Sequence, residues 1–137
     1  MTAAFGAQDA LLATMILTAA ADGEIKPSEN AAITGIARSL PAFEGFHEGR
    51  LGDMTAVIVE VLREEDGVDQ GMRLIRESLP EHLRETAYAL ACEVAAADGQ
   101  LAVEEVRLLE LIRHGLAIER LAAAAIERGA RARYTRL

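Results

Sequence analysis

The stretch "AAADGEIKPSE" (residues 19–29) returns further along the chain as "AAADGQLAVEE" (residues 95–105). In both, three alanines run into Asp-Gly, an aliphatic residue follows two places on (Ile25, Leu101), and a glutamate closes the block (Glu29, Glu105). A glycine in this position supplies the left-handed residue that ends a helix. Each block therefore reads as helix, short loop, helix. Working outward from the first, Leu12, Met15, Ile16 and Ala19 recur at helical spacing, and Pro27 suits the first turn of a helix running through Ile33 and Ile36 to about Leu40. Around the second, Pro80 stands near the start of a helix carrying Leu83, Ala87, Leu90, Ala91 and Val94, and residues 103–114 continue after Gly99.

Set in register without a gap, residues 11–38 and 87–114 share eight identities, among them the Asp-Gly pair and the closing Glu. That register implies an internal duplication. Between the copies, "PAFEGFHEGRLG" is a loop by its Pro and Gly content. "DMTAVIVEVLREEDG" is a helix with Asp53 as N-cap and Gly67 as its stop, and a short helix follows over about 69–79. The end, "AIERLAAAAIERGARARYTRL", reads as a terminal helix fraying into an Arg-rich tail. The expected fold is all-α: one domain over 1–137, a compact bundle of about seven helices built from two pseudo-symmetric helix-loop-helix repeats. Repeat one spans about 8–40, the linker helices about 53–79, repeat two about 80–115 and the C-terminal helix about 118–130.

Composition agrees, since 137 residues suffice for one core, aromatics make up only 4% and Trp is absent. A formal charge of −8 disfavours nucleic acid, whose phosphates would be repelled, and makes cations the natural partners. The N-terminus lacks a basic region, and its apolar run is about half the ~20 residues of a membrane span, so neither a signal peptide nor a transmembrane segment is expected. The single Cys92 sits in a helical pattern as a small core residue, which fits a reducing cytoplasm.

The spacing Asp-Gly-x-(Ile/Leu)-x-x-x-Glu matches the second half of an EF-hand calcium loop, where glycine permits the sharp turn and the last Glu offers two oxygens. The first half is missing: Thr18 and Ala20 in one copy, Val94 and Ala96 in the other, stand where oxygen ligands are needed. Were the two units to pack about a pseudo-twofold axis, Asp22, Glu29, Asp98 and Glu105 would converge as a hard-cation site. The competing reading makes the same residues helix caps, with the aspartates accepting loop amides and the glutamates serving the first turn of the next helix. Lys26 and Ala102 precede the glutamates by three, so the reciprocal capping box is incomplete in both copies.

With its paired "AAADG" units, each followed by Glu, the acidic all-α chain resembles the tellurite-resistance TerB family and its wider TerB-like group over about residues 10–128. The resemblance implies a compact helical bundle found with tellurite and chemical-stress resistance systems, in which acidic residues bind cations and no enzymatic activity is established. Carried over by position, it marks Asp22 and Glu29, then Asp98 and Glu105. Gln100 stands opposite Glu24 and removes one acid from the second loop.

No other constellation competes. His47, His82 and His114 lie in separate segments without a second ligand at zinc spacing, and Ser28, Ser39 and Ser78 lack a nucleophile context. Asp66-Gly67 lacks a following Glu and reads as a solvated helix end; Glu93, one turn before Ala97, is a surface carboxylate or a further metal ligand. The expected function is thus a non-enzymatic, cytoplasmic cation-binding protein of the stress-response type, taking calcium first and magnesium or manganese next. The alternative is a helical protein-interaction module in which these carboxylates are only caps. A third class, metal-assisted hydrolysis, has nothing but the carboxylates behind it. Arg128, Arg131, Arg133 and Arg136 suggest an acidic protein partner or the acidic face of a second copy.

Overall fold

A computed structural model describes residues 5–97, 99 and 103–137. Among them are seven α-helices and no strand: α1 (Ala7–Ala19), α2 (Pro27–Ser39), α3 (Gly49–Leu62), α4 (Gly67–Ser78), α5 (Arg84–Ala96), α6 (Val103–Gly115) and α7 (Arg120–Arg133). Two single 3₁₀ turns, Pro41–Phe43 and Glu81–Leu83, lead from α2 and into α5. The all-helical class and the number of helices expected from the sequence are what the chain adopts.

Every residue of α1 from Asp9 to Ala19 is buried. An amphipathic helix shows one apolar stripe, whereas one apolar all round must be enclosed. Accordingly α1 packs against α2, α3, α4, α5 and α6. Its two internal polar residues satisfy themselves within the helix: Thr14 Oγ1 donates to the Ala10 carbonyl and Thr18 Oγ1 to the Thr14 carbonyl, both at 2.8 Å. Burial then costs no unmet hydroxyl. The helix start is tied by Asp9, whose Oδ2 accepts the Gly6 N–H at 2.9 Å and whose two oxygens take the Arg50 guanidinium at 3.1 and 2.6 Å. This bidentate pair joins α1 to the first turn of α3.

Two boundaries differ from the sequence reading. The helix expected to start at Asp53 starts at Gly49, and Asp53 is exposed within it. Two glycines in that first turn argue against a helix, but Arg50 is anchored on Asp9 and Leu51 packs on the core, so tertiary contact overrides propensity. Gly67, expected to stop a helix, instead opens α4, and α3 ends earlier at Leu62. The reason is steric. A Cβ on Gly67 would stand 2.5 Å from the Val61 carbonyl oxygen and 2.7 Å from Leu62 Cα, so only glycine lets α4 turn back this closely on α3. Asp66 is exposed, as expected, and accepts from the Gln70 side chain at 2.6 Å.

The α6–α7 junction places Ala117 in the left-handed region, at φ 55°, with the Ile118 N–H returning to the Arg113 carbonyl at 3.0 Å. An alanine there carries a strain of about 1 kcal/mol that glycine would not. Ala117→Gly is expected to raise the melting temperature by roughly 3–4 °C, the shift of about 1 kcal/mol in a chain of this size. Gly67→Ala is expected to lower it by at least as much, because overpacking against backbone costs about 1–3 kcal/mol. Calorimetry on the two single variants checks both directions.

Candidate functional site: two Asp-Gly turns and a cleft

The first Asp-Gly turn begins where α1 runs out. The Ala20 N–H still reaches the Ile16 carbonyl (2.9 Å), Ala21 turns back to Thr18 (3.4 Å), and Gly23 closes on Ala20 (2.9 Å) with φ 92°. Asp22 is exposed, and its Oδ1 accepts the Glu24 N–H at 3.2 Å, a local turn bond. Ile25 packs against the core, and Pro27 opens α2. Glu29, at the third helical position, is buried to 1% exposure, and its Oε1 accepts the Lys26 N–H at 3.0 Å. That is the glutamate half of a capping box. Lys26, having no side-chain acceptor, cannot make the other half.

Two backbone bonds of the first turn have counterparts at the end of α5. Ala97 turns back to Val94 at 3.2 Å, Gly99 closes on Ala96 at 3.0 Å with φ 78°, and α6 begins at Val103. Glu105 is buried to 1% exposure, as Glu29 is. The helices flanking the two turns, α1, α2, α5 and α6, are each 13 residues long. Asp98, together with residues 100–102, lies outside the described residues. Among the described residues no three Asp, Glu, His or Cys side chains stand together as a group that can hold a metal.

Two interactions had no local signal in the sequence. Glu93 pairs with Arg133 Nε at 2.8 Å, tying the end of α7 to α5. The Arg-rich end is thus helical to Arg133 and seated on α5, where the sequence suggested fraying soon after residue 130. Tyr88 Oη donates to Glu127 Oε2 at 2.6 Å, and burial, reinforced by this bond, pushes the phenol well above its ordinary range. Next to it, burial pushes the Cys92 thiol up to about 12. Tyr88, Cys92 and Glu127 lie on the lining of a cleft of about 700 Å³ between α5, α6 and α7.

A family model described as tellurite resistance protein TerB matches residues 8–128. The chain belongs to the TerB family. Searches of curated proteins and of solved structures give no match. The match takes in both Asp-Gly turns and five helices whole, α2 to α6, with α7 up to Arg128 and all but the first residue of α1. In this TerB-family chain no helix among the described residues is long and apolar enough to cross a membrane.

The thiol provides a test of the α5–α7 packing. A thiol whose pKa rises from 9.0 to about 12 on folding stays protonated in the native state where the unfolded chain would ionise. The native state then binds more protons than the unfolded one, so this contribution to stability is complete below pH 9 and is lost as pH rises toward 12. At pH 8, iodoacetamide is expected to alkylate Cys92 only at the rate at which the chain opens. Between pH 9 and 11, Cys92→Ala is expected to lose stability less steeply than the parent chain. Mass spectrometry and pH-dependent urea melts read the two effects.

Proposed function

We propose that this TerB-family protein is a non-enzymatic, cytoplasmic stress-response protein whose two Asp-Gly turns each bind a hard divalent cation weakly. Asp22 with Glu29 would serve one turn and Asp98 with Glu105 the other, with calcium first, magnesium or manganese next. The observation that carries this is the pair of buried glutamates, Glu29 and Glu105, each at 1% exposure after a left-handed glycine in a chain of net charge −8. A glutamate that closes an Asp-Gly turn is the residue type that offers a hard cation two oxygens. Carboxylate donors without His or Cys suit hard cations, and two carboxylates per turn suit an affinity near ~10⁻⁴–10⁻³ M. The reading takes two separate sites, one at each turn, each with its own aspartate and glutamate. The raised, buried thiol of Cys92 favours a non-enzymatic role, since the thiolate and not the thiol is the nucleophile.

A second reading has its own observation. Asp22 and Glu29 already accept backbone amides of the turn, at 3.2 and 3.0 Å, which is what helix caps do. On this reading the protein is a helical interaction module. The exposed apolar side chains Val103, Val106 and Leu111 of α6 and Leu121 of α7 then meet a protein partner.

Melting curves separate the two. At free calcium one hundred times the dissociation constant, each occupied turn adds about 2.7 kcal/mol to the native state, several degrees in melting temperature per turn. Asp22→Asn and Asp98→Asn are each expected to remove only their own turn's share of that shift. If millimolar calcium, magnesium and manganese all leave the curve unmoved, while Glu29→Ala lowers it without metal, the carboxylates are caps and the interaction module stands.

A further inference from the structure

The cleft between α5, α6 and α7 has a composition at odds with the rest of the molecule. Its volume, about 700 Å³, lies within the range of small-molecule sites. Its apolar lining comes from all three helices: Ala95 and Ala96 of α5, Val106 and Leu109 of α6, and Ala130 of α7. Among the described residues, the charged lining is three arginines, Arg113, Arg131 and Arg136, and two glutamates, Glu110 and Glu127. One of those glutamates, Glu127, already accepts the Tyr88 hydroxyl at 2.6 Å. In a chain carrying −8, the described lining of this cleft is of reversed sign.

The arginines also differ in how they are engaged. Arg133 is held by Glu93, and Arg113 Nη2 lies 3.2 Å from His114 Nε2. Arg131 and Arg136 are exposed, and neither guanidinium pairs with a carboxylate among the described residues. Two guanidinium groups beside an apolar cleft are the recognition elements of an oxyanion on an apolar body. A cation is disfavoured by the arginines, and a purely apolar ligand leaves them unused. We propose that this cleft binds an amphipathic organic anion, with its apolar body between α5, α6 and α7 and its oxyanion at Arg131 and Arg136.

Binding of dodecanoate below its micelle concentration, measured calorimetrically in chelator on the full chain, tests this independently of any cation at the Asp-Gly turns. Saturable one-to-one binding is expected, and dodecyltrimethylammonium, with the same tail and opposite charge, is expected not to bind. The double substitution Arg131→Glu, Arg136→Glu alters exposed side chains and should keep the helical circular dichroism and melting temperature while weakening dodecanoate at least tenfold. Ala130→Phe, which fills the cleft, should abolish binding; if it unfolds the chain, Ala96→Leu is the substitute, with the same loss expected. Equal binding of the two detergents, no binding of dodecanoate, or full affinity in the charge-reversed variant overturns the proposal. So does binding to phosphatidylglycerol vesicles without binding to monomeric dodecanoate, which makes the cleft a membrane-contact surface instead.

Discussion

The enclosure of α1 is the constraint on which the other helices depend. A helix buried from Asp9 to Ala19 has no solvent face, so other elements must cover it on every side, and α2 through α6 do. Each fully buried Leu, Ile or Met side chain contributes about 1.5–3 kcal/mol relative to exposure, and α1 supplies five of them, Leu11, Leu12, Met15, Ile16 and Leu17. Ala10, Ala13 and Ala19 let neighbours approach closely, and the threonine hydroxyls turn inward to their own helix carbonyls. The only charge in this buried run, Asp9, lies at its N-terminal end, where two guanidinium nitrogens and a backbone amide meet it.

Helices of this kind announce themselves in sequence, because Leu12, Met15, Ile16 and Ala19 fall at helical spacing and Gly23 and Gly99 mark where helices stop. Both glycines do take positive φ. What the local pattern does not carry is which side of a turn the chain leaves by. Gly67 looks like Gly23 in sequence, yet it is needed because α3 backbone lies against it and not for its φ. Contacts distant in sequence are silent for the same reason: Asp9 with Arg50, Tyr88 with Glu127 and Glu93 with Arg133 join residues about forty apart, with no periodicity to betray them.

Of the candidate residues, Asp22, Glu29 and Glu105 were legible as a repeated spacing, and the structure gives them unequal surroundings. Asp22 is exposed at the tip of its turn, whereas the two glutamates are nearly enclosed at the start of the following helices. Sequence spacing fixes neighbours along the chain; it does not say whether two turns face each other. The cleft was illegible altogether, since its lining is drawn from three helices whose individual patterns are ordinary.

α7 packs principally on α5, and the Glu93–Arg133 and Tyr88–Glu127 pairs add two polar ties between them. The hierarchy of local unfolding follows from this: an element resting on one neighbour opens at lower free energy than one enclosed by five. Amide exchange should then run slowest along α1 and fastest along α7, with the terminal helix behaving as a separate cooperative unit. Because α7 forms one wall of the α5–α6–α7 cleft, the fluctuation that lets a solute in costs only the detachment of one helix and leaves the enclosed centre of the bundle folded.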